Sequence, residues 1–249
     1  MAHLPDAWSD AMSLPHALKI KFAALLGMAA LLASPAQAAT AVSRSVGTFD
    51  AVTLRAPVDL VLRQGPQSAV EVTADDKLQG MLVTEVVTGA KGRTLEVGLK
   101  PGTRWPHGAK ALVTVDVVAL RALAIDGAGE ASGSGLVVDA LDVSISGSGD
   151  VRLDRLQATA LDLRVAGSGD FTLAGRTGRL RVRIAGSGDV DAAALDADDV
   201  SVSISGSGDA QVRAAATLDV SIAGSGEVTY QGQPKLTQRI AGSGSIAQR

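Results

Sequence analysis

Cysteine is absent from this chain, and only six of its 249 residues are aromatic: two Trp, one Tyr and three Phe. Without a thiol there are no disulfides, no thiolate nucleophile, no thiolate zinc or iron–sulfur site and no lipid-anchoring cysteine. With 46% hydrophobic content but only 2% aromatic, the interior has to be built from Val, Leu, Ile and Ala. The 28 glycines that accompany these small aliphatics point to many tight turns between thin strands.

Long apolar runs are missing too. The one apolar stretch of note, Phe22 to Ala33, follows Lys19 and Lys21 and precedes Ala36-Gln37-Ala38, the order of a secretory leader with a small-residue cleavage site. At about a dozen residues it falls short of the roughly 20 that a membrane-spanning helix needs. Cleavage is expected after Ala38, leaving no membrane span. The acidic stretch before Met12 adds nothing to such a leader, which makes Met12 an alternative start to Met1.

No excess of positive charge is present. Residues 1–38 carry Lys19 and Lys21 against Asp6 and Asp10, so the net charge of −3 is unchanged by their removal and gives no case for nucleic acid. The leader also holds two of the three histidines, leaving His107 with Trp105, Tyr230, Phe49 and Phe171 in the mature chain. One histidine excludes a multi-His metal site by count. The expected product is exported, to the periplasm or the outer surface.

What is present is a repeat. The corners begin at Gly127, Gly147, Gly167, Gly186, Gly206, Gly224 and Gly242, at successive intervals of 20, 20, 19, 20, 18 and 18 residues. A unit near 19 residues is the mark of a solenoid. Ahead of each corner the residues alternate with period two, as in a strand with one buried face. Two positions before the first glycine stand Ile125, Ile145, Val165, Ile184, Ile204, Ile222 and Ile240; four before stand Leu123, Val143, Leu163, Val182, Val202 and Val220. A third column runs Leu141, Leu161, Leu180, Val200, Leu218 and Leu236, and all three are expected to face inward. After each corner a second, shorter strand buries pairs such as Val151 and Leu153 or Phe171 and Leu173.

Period two cannot line one face of a helix. An up-and-down meander competes, but every unit keeps the same columns in the same phase, so stacking places like on like. The expected fold is therefore all-β, a single-stranded parallel β-helix with about 19-residue rungs and Gly-Ser-Gly corners. Residues 39–120 lack the corner yet stay strand-like, and are read as the N-terminal cap and degenerate first rungs. Residues 121–249 form the regular part, making one continuous domain over 39–249. At the far end Pro234, Lys235, Gln238 and Arg239 interrupt the last rung, which blunts an open edge and leaves room there for a partner or a second copy.

The segment Phe49, Val58-Asp59-Leu60, Gln64-Gly65 and Val70 through Asp76, followed by seven corners with trailing acids, resembles the bacterial head GIN domain family, described as autotransporter adhesin heads. The resemblance covers about residues 47–246. It implies a right-handed β-helix-like fold in an exported envelope or surface protein, and it brings no catalytic residues.

Two constellations stand out as candidate sites. The residue after each corner is acidic: Glu130, Asp150, Asp170, Asp189, Asp209 and Glu227. Carboxylates stacked at rung spacing repel by up to ~1 kcal/mol per pair in water, which invites Ca²⁺ held between rungs. The competing reading has each side chain accept turn amides, with Arg152, Arg164, Arg183 and Arg213 as counterions. The second constellation is the loop Lys100 to Lys110, where Arg104, Trp105 and His107 suit an anionic partner or glycan, unless Trp105 packs over the cap. A phosphate-loop reading of the corners fails because no helix follows and no Lys sits at the required spacing. Asp75-Asp76 and Asp198-Asp199 are paired acids of the kind polysaccharide-active enzymes use, but aromatic sugar platforms are lacking. The sequence thus reads as an exported, non-enzymatic β-solenoid with a structural or adhesin-like role toward an envelope or surface partner, protein or glycan. The alternatives are a calcium-stabilised binder of anionic glycans and a polysaccharide-active enzyme.

Overall fold

The computed structural model describes residues 39–89 and 92–249. The leader, its cleavage site at Ala38 and the start at Met12 lie outside the described residues. The chain folds as a β-solenoid of about six turns with rungs of about 20 residues. In chain order it runs β1 (Thr40–Arg44), β2 (Ala51–Leu54), β3 (Asp59–Gln64), β4 (Ala69–Ala74), helix α1 (Asp76–Met81), β5 (Leu82–Gly89), β6 (Gly92–Leu99) and β7 (Leu112–Val117). Then follow β8 (Ala122–Gly127), β9 (Glu130–Ser134), β10 (Val137–Gly147), β11 (Asp150–Gly167), β12 (Phe171–Gly186), β13 (Val190–Gly206) and β14 (Ala210–Gly224). The chain ends with β15 (Glu227–Gln231), β16 (Lys235–Gly242) and β17 (Ser245–Gln248).

From β8 onward every pairing is parallel and each corner lies on the corner before it. The isoleucine column is in register from Ile125 through Ile145, Val165, Ile184, Ile204 and Ile222 to Ile240. Its members are fully buried except the last, which has no rung above it. Gln238 likewise stands in register with buried Val220 but is itself exposed, so a polar residue in an aliphatic column is tolerated where the stack ends. A rung has a third side that the corner pattern did not reveal: Leu136, Leu156 and Leu195 are buried there, with Gly175 between the last two in register. Arg155, at φ +53°, turns the chain onto this side, the one described residue besides glycine with positive φ.

The corner glycines have two separate reasons. Gly186 has φ +138°, and a Cβ there would strike the carbonyl oxygen of Gly167 in the rung beneath. Rungs therefore meet backbone to backbone, and the amides of Ser168, Ser187, Ser207 and Ser225 donate to the first corner glycine of the preceding rung at 2.8–2.9 Å. The serine amides thus tie corner to corner.

The N-terminal part departs from chain order. The rung made by β2 and β3 lies between the rung of β6 and β7 and the rung of β8 and β9, because β2 pairs with both β6 and β8 and β3 with both β7 and β9. The end of the stack is then closed by antiparallel strands: β5 on β6, β4 on β7, and β1 on β4. The first carboxylate pair has a plain structural role here, since Asp75 caps α1 by accepting the Leu78 amide at 2.8 Å.

Candidate functional site

The four aspartates of the acidic column do form a ladder, with one oxygen of each already engaged. Asp150 Oδ1 accepts the Asp170 amide at 3.2 Å, Asp170 Oδ1 the Asp189 amide at 2.8 Å, Asp189 Oδ1 the Asp209 amide at 2.9 Å, and Asp209 Oδ1 the Glu227 amide at 2.7 Å. Each side chain thus satisfies a backbone donor of the next rung, at the point where the corner leaves it without a ladder partner. Among the described residues no three His, Cys, Asp or Glu side chains are gathered as a metal would need. The arginines expected as counterions of this column are paired elsewhere: Arg152 with Asp154, Arg164 with Asp142 and Asp162, Arg183 with Asp162, and Arg213 with Asp196. They point from strand positions rather than from the corner, so their nearest carboxylates are those on the same face, two residues along the strand for Arg152 and Arg164 and one rung away for Arg183 and Arg213.

The loop that carries Arg104, Trp105 and His107 joins β6 to β7. Trp105 is half-buried against the core, and its Nε1 donates to the Ala109 carbonyl at 3.1 Å, while Arg104 and His107 are exposed. The indole is used to close the loop over the cap, leaving Arg104 and His107 on the surface.

A surface feature that the sequence did not signal is a trough of about 460 Å³ along the bend beside the third side of the rungs. Its floor is the column Val138, Ala158, Thr177 and Ala197, and one rim is the column Val137, Gln157, Arg176 and Asp196. Between floor and opposite rim lie Asp139, Thr159, Gly178 and Asp198, over which the inter-rung ladder steps without pairing. The chain bends there in four successive rungs, and stacking the bend produces a groove parallel to the solenoid axis. An adjoining hollow of about 370 Å³, lined by Ala119, Leu120 and Arg121, shares Val137, Val138 and Asp139 and lengthens the groove toward the cap. That end is apolar, with Val118 and Val137 about half exposed.

The rims are fixed by polar links between rungs. Arg176 Nη2 donates to Gln157 Oε1 at 2.6 Å, Arg213 donates to Asp196 at 3.3 Å and to Gln231 at 2.7 Å, and Thr217 Oγ1 donates to Asp199 Oδ1 at 2.6 Å. The second acid pair is thereby divided: Asp198 faces the trough and Asp199 is held on the far rim. Thr177, buried in the floor, donates its hydroxyl to the Arg179 carbonyl at 3.1 Å. Nothing in the lining pairs a nucleophile with a base. The arrangement is a rigid, small-floored groove with polar edges, suited to holding a partner in place.

Fold and groove together define a repeat protein whose surface is a stacked lattice of side chains on a dry aliphatic core. The chain belongs to the family described as "Putative auto-transporter adhesin, head GIN domain", which it matches over residues 48–234. No curated protein matches it. Among solved structures it is similar to a putative adhesin from Bacteroides fragilis, with a TM-score of 0.80 at 21% identity over 86% of this chain and 99% of that one. It is also similar to a protein from Parabacteroides distasonis described as a putative lipid binding protein (TM-score 0.69, 25% identity, 85% of this chain and 97% of that one). A putative adhesin from Parabacteroides merdae gives a TM-score of 0.65 at 22% identity, over 85% of this chain and 96% of that one. The family and these neighbours support an adhesin-like protein.

Proposed function

We propose that this chain is an exported, non-enzymatic adhesin-like scaffold of the bacterial envelope or surface, which holds an extended partner in its axial trough. The observation that carries the reading is the trough itself, a groove that recurs rung after rung and whose rims are immobilised by hydrogen bonds. Family membership and the leader pattern ending at Ala38 support the location.

The test is accessibility in intact cells. External protease is added to cells expressing a tagged protein, beside a periplasmic control, and the medium is sampled. Shaving of the cell-bound protein or its release into the medium is expected. Protection until the outer membrane is opened overturns the surface role and turns attention to periplasmic partners.

A second reading takes the trough as a site for an apolar chain. It rests on the Val118, Val137 and Val138 end of the groove and on the lipid-binding description of the Parabacteroides distasonis neighbour. Displacement of an environment-sensitive fluorescent fatty acid, lost in Val137→Asp, distinguishes it from the first.

A further inference from the structure

At the capped end the outer face of the strand order β1, β4, β7, β3 is concave. A hollow of about 290 Å³ lies on it. Two rows of side chains cross this face in register. One runs Ser43, Glu71 and Thr114; the other runs Ala69, Asp116 and Arg63. Ser45, Ser68 and Arg44 complete the wall. Thr114 is only 7% exposed and marks the deepest point.

Elsewhere on the solenoid outward arginines are mostly spent on neighbours, three of them around Asp162 alone. Here the polar groups are left over. Among the described residues Arg63, Glu71, Asp116, Thr114, Ser43, Ser45 and Ser68 make no side-chain hydrogen bond or ion pair, although Arg63 and Asp116 stand opposite each other in register. Arg44 is engaged through Nη2 with Gln79, and its buried Nε has no acceptor. A fold that pairs its charges across rungs on its other faces has left a concave set of donors and acceptors unpaired on this one.

We infer that this hollow is a binding site for a neutral polyhydroxylated ring, a single uncharged sugar unit. Arg63 stands beside Glu71 and Asp116, so an anion or a cation would each meet a like charge. A sugar hydroxyl both donates and accepts, and so matches carboxylates beside guanidinium and hydroxyl groups. The volume lies at the low end for small-molecule sites, the size of one ring rather than a chain. The inference does not depend on the proposed role of the trough or on where the protein resides.

The test is a titration of the folded chain, followed by amide ¹H–¹⁵N spectra, with the methyl glycosides of glucose, galactose, mannose and N-acetylglucosamine. At least one is expected to give saturable shifts confined to the amides of residues 43–46, 68–71 and 114–116, with a millimolar Kd typical of a single small ring. Arg63→Ala and Glu71→Gln, both at exposed positions, are each expected to weaken binding about tenfold or more while leaving the rest of the spectrum in place. No saturable shift with any of the four overturns the inference. So do shifts that map to the trough, unchanged affinity in both variants, or equal binding of methyl glucuronoside.

Discussion

The alanine substitutions Gly186→Ala and Gly127→Ala each change the first glycine of a corner, yet the structure separates them. Both glycines have positive φ, +138° and +133°, so each alanine incurs backbone strain of about 1–3 kcal/mol. At Gly127 nothing lies within 4 Å of the added Cβ, because the rung beneath leaves the ladder after Leu54. At Gly186 the Cβ overlaps the Gly167 carbonyl oxygen, the same oxygen that accepts the Ser187 amide at 2.9 Å. Relieving that overlap parts the rungs, with loss of a hydrogen bond of about 1 kcal/mol and an overpacking cost of about 1–3 kcal/mol. The expected totals are about 1–3 kcal/mol for Gly127→Ala and about 3–7 kcal/mol for Gly186→Ala. At roughly 2–4 °C per kcal/mol for a chain of this size, Tm should fall by about 2–12 °C in the first and about 6–28 °C in the second. Gly98→Ala serves as the control, having neither positive φ nor a neighbour within 4 Å; it should stay within about 0.5 kcal/mol of the parent. The assay is thermal and denaturant unfolding followed by circular dichroism. Equal losses in Gly127→Ala and Gly186→Ala would refute the claim that rung contact, rather than φ alone, dictates the corner.

Three further outcomes follow from the same geometry. Asp170→Ala removes the acceptor of the Asp189 amide and should lower stability by about 1–3 kcal/mol, whereas Asp170→Asn keeps an acceptor oxygen and should cost less; a dose-dependent rise of Tm with Ca²⁺ that Asp170→Asn abolishes would instead support the calcium reading of the column. Arg155 sits at φ +53° where the neighbouring rung uses Gly135 at φ +73°, so Arg155→Gly should leave stability unchanged or raise it by up to about 1 kcal/mol in denaturant unfolding, and a clear loss would show that its bond to Ser134 outweighs the strain. Phe171, 1% exposed and stacked between Val151 and Val190, should cost about 3–5 kcal/mol as Phe171→Ala, and a small loss would mean that the neighbouring rungs collapse to fill the space.

The acidic column shows where reading residues without coordinates stops. Its spacing was legible, and so was the choice between cation and amide as its partner. The choice itself turns on whether the next rung presents an N–H within reach of Oδ1, and only the stack decides that. The trough was not legible at all. Its floor and rims are Ala, Thr, Gly, Val, Gln, Arg and Asp at positions that alternate like any others, and they become a groove because four rungs bend at the same step. Trp105 was conspicuous by rarity, yet its environment is that of a packing residue, since a single indole near a cap finds apolar cover more readily than it finds a ligand.

The sequence alone determined the rung. Period-two columns, a fixed interval between Gly-Ser-Gly corners and a core with few aromatics leave one economical solution, in which identical units stack with like on like. The order of the rungs was decided by the tertiary structure. The aliphatic columns of residues 51–64, 94–117 and 122–134 are interchangeable in pattern, and none of the first two carries a corner to mark its place. Parallel pairing lets β2 accept β6 on one edge and β8 on the other, both of which come later in the chain. A column of Val and Leu specifies which face is inside, and it is the closing antiparallel strands that fix which rung lies at the end.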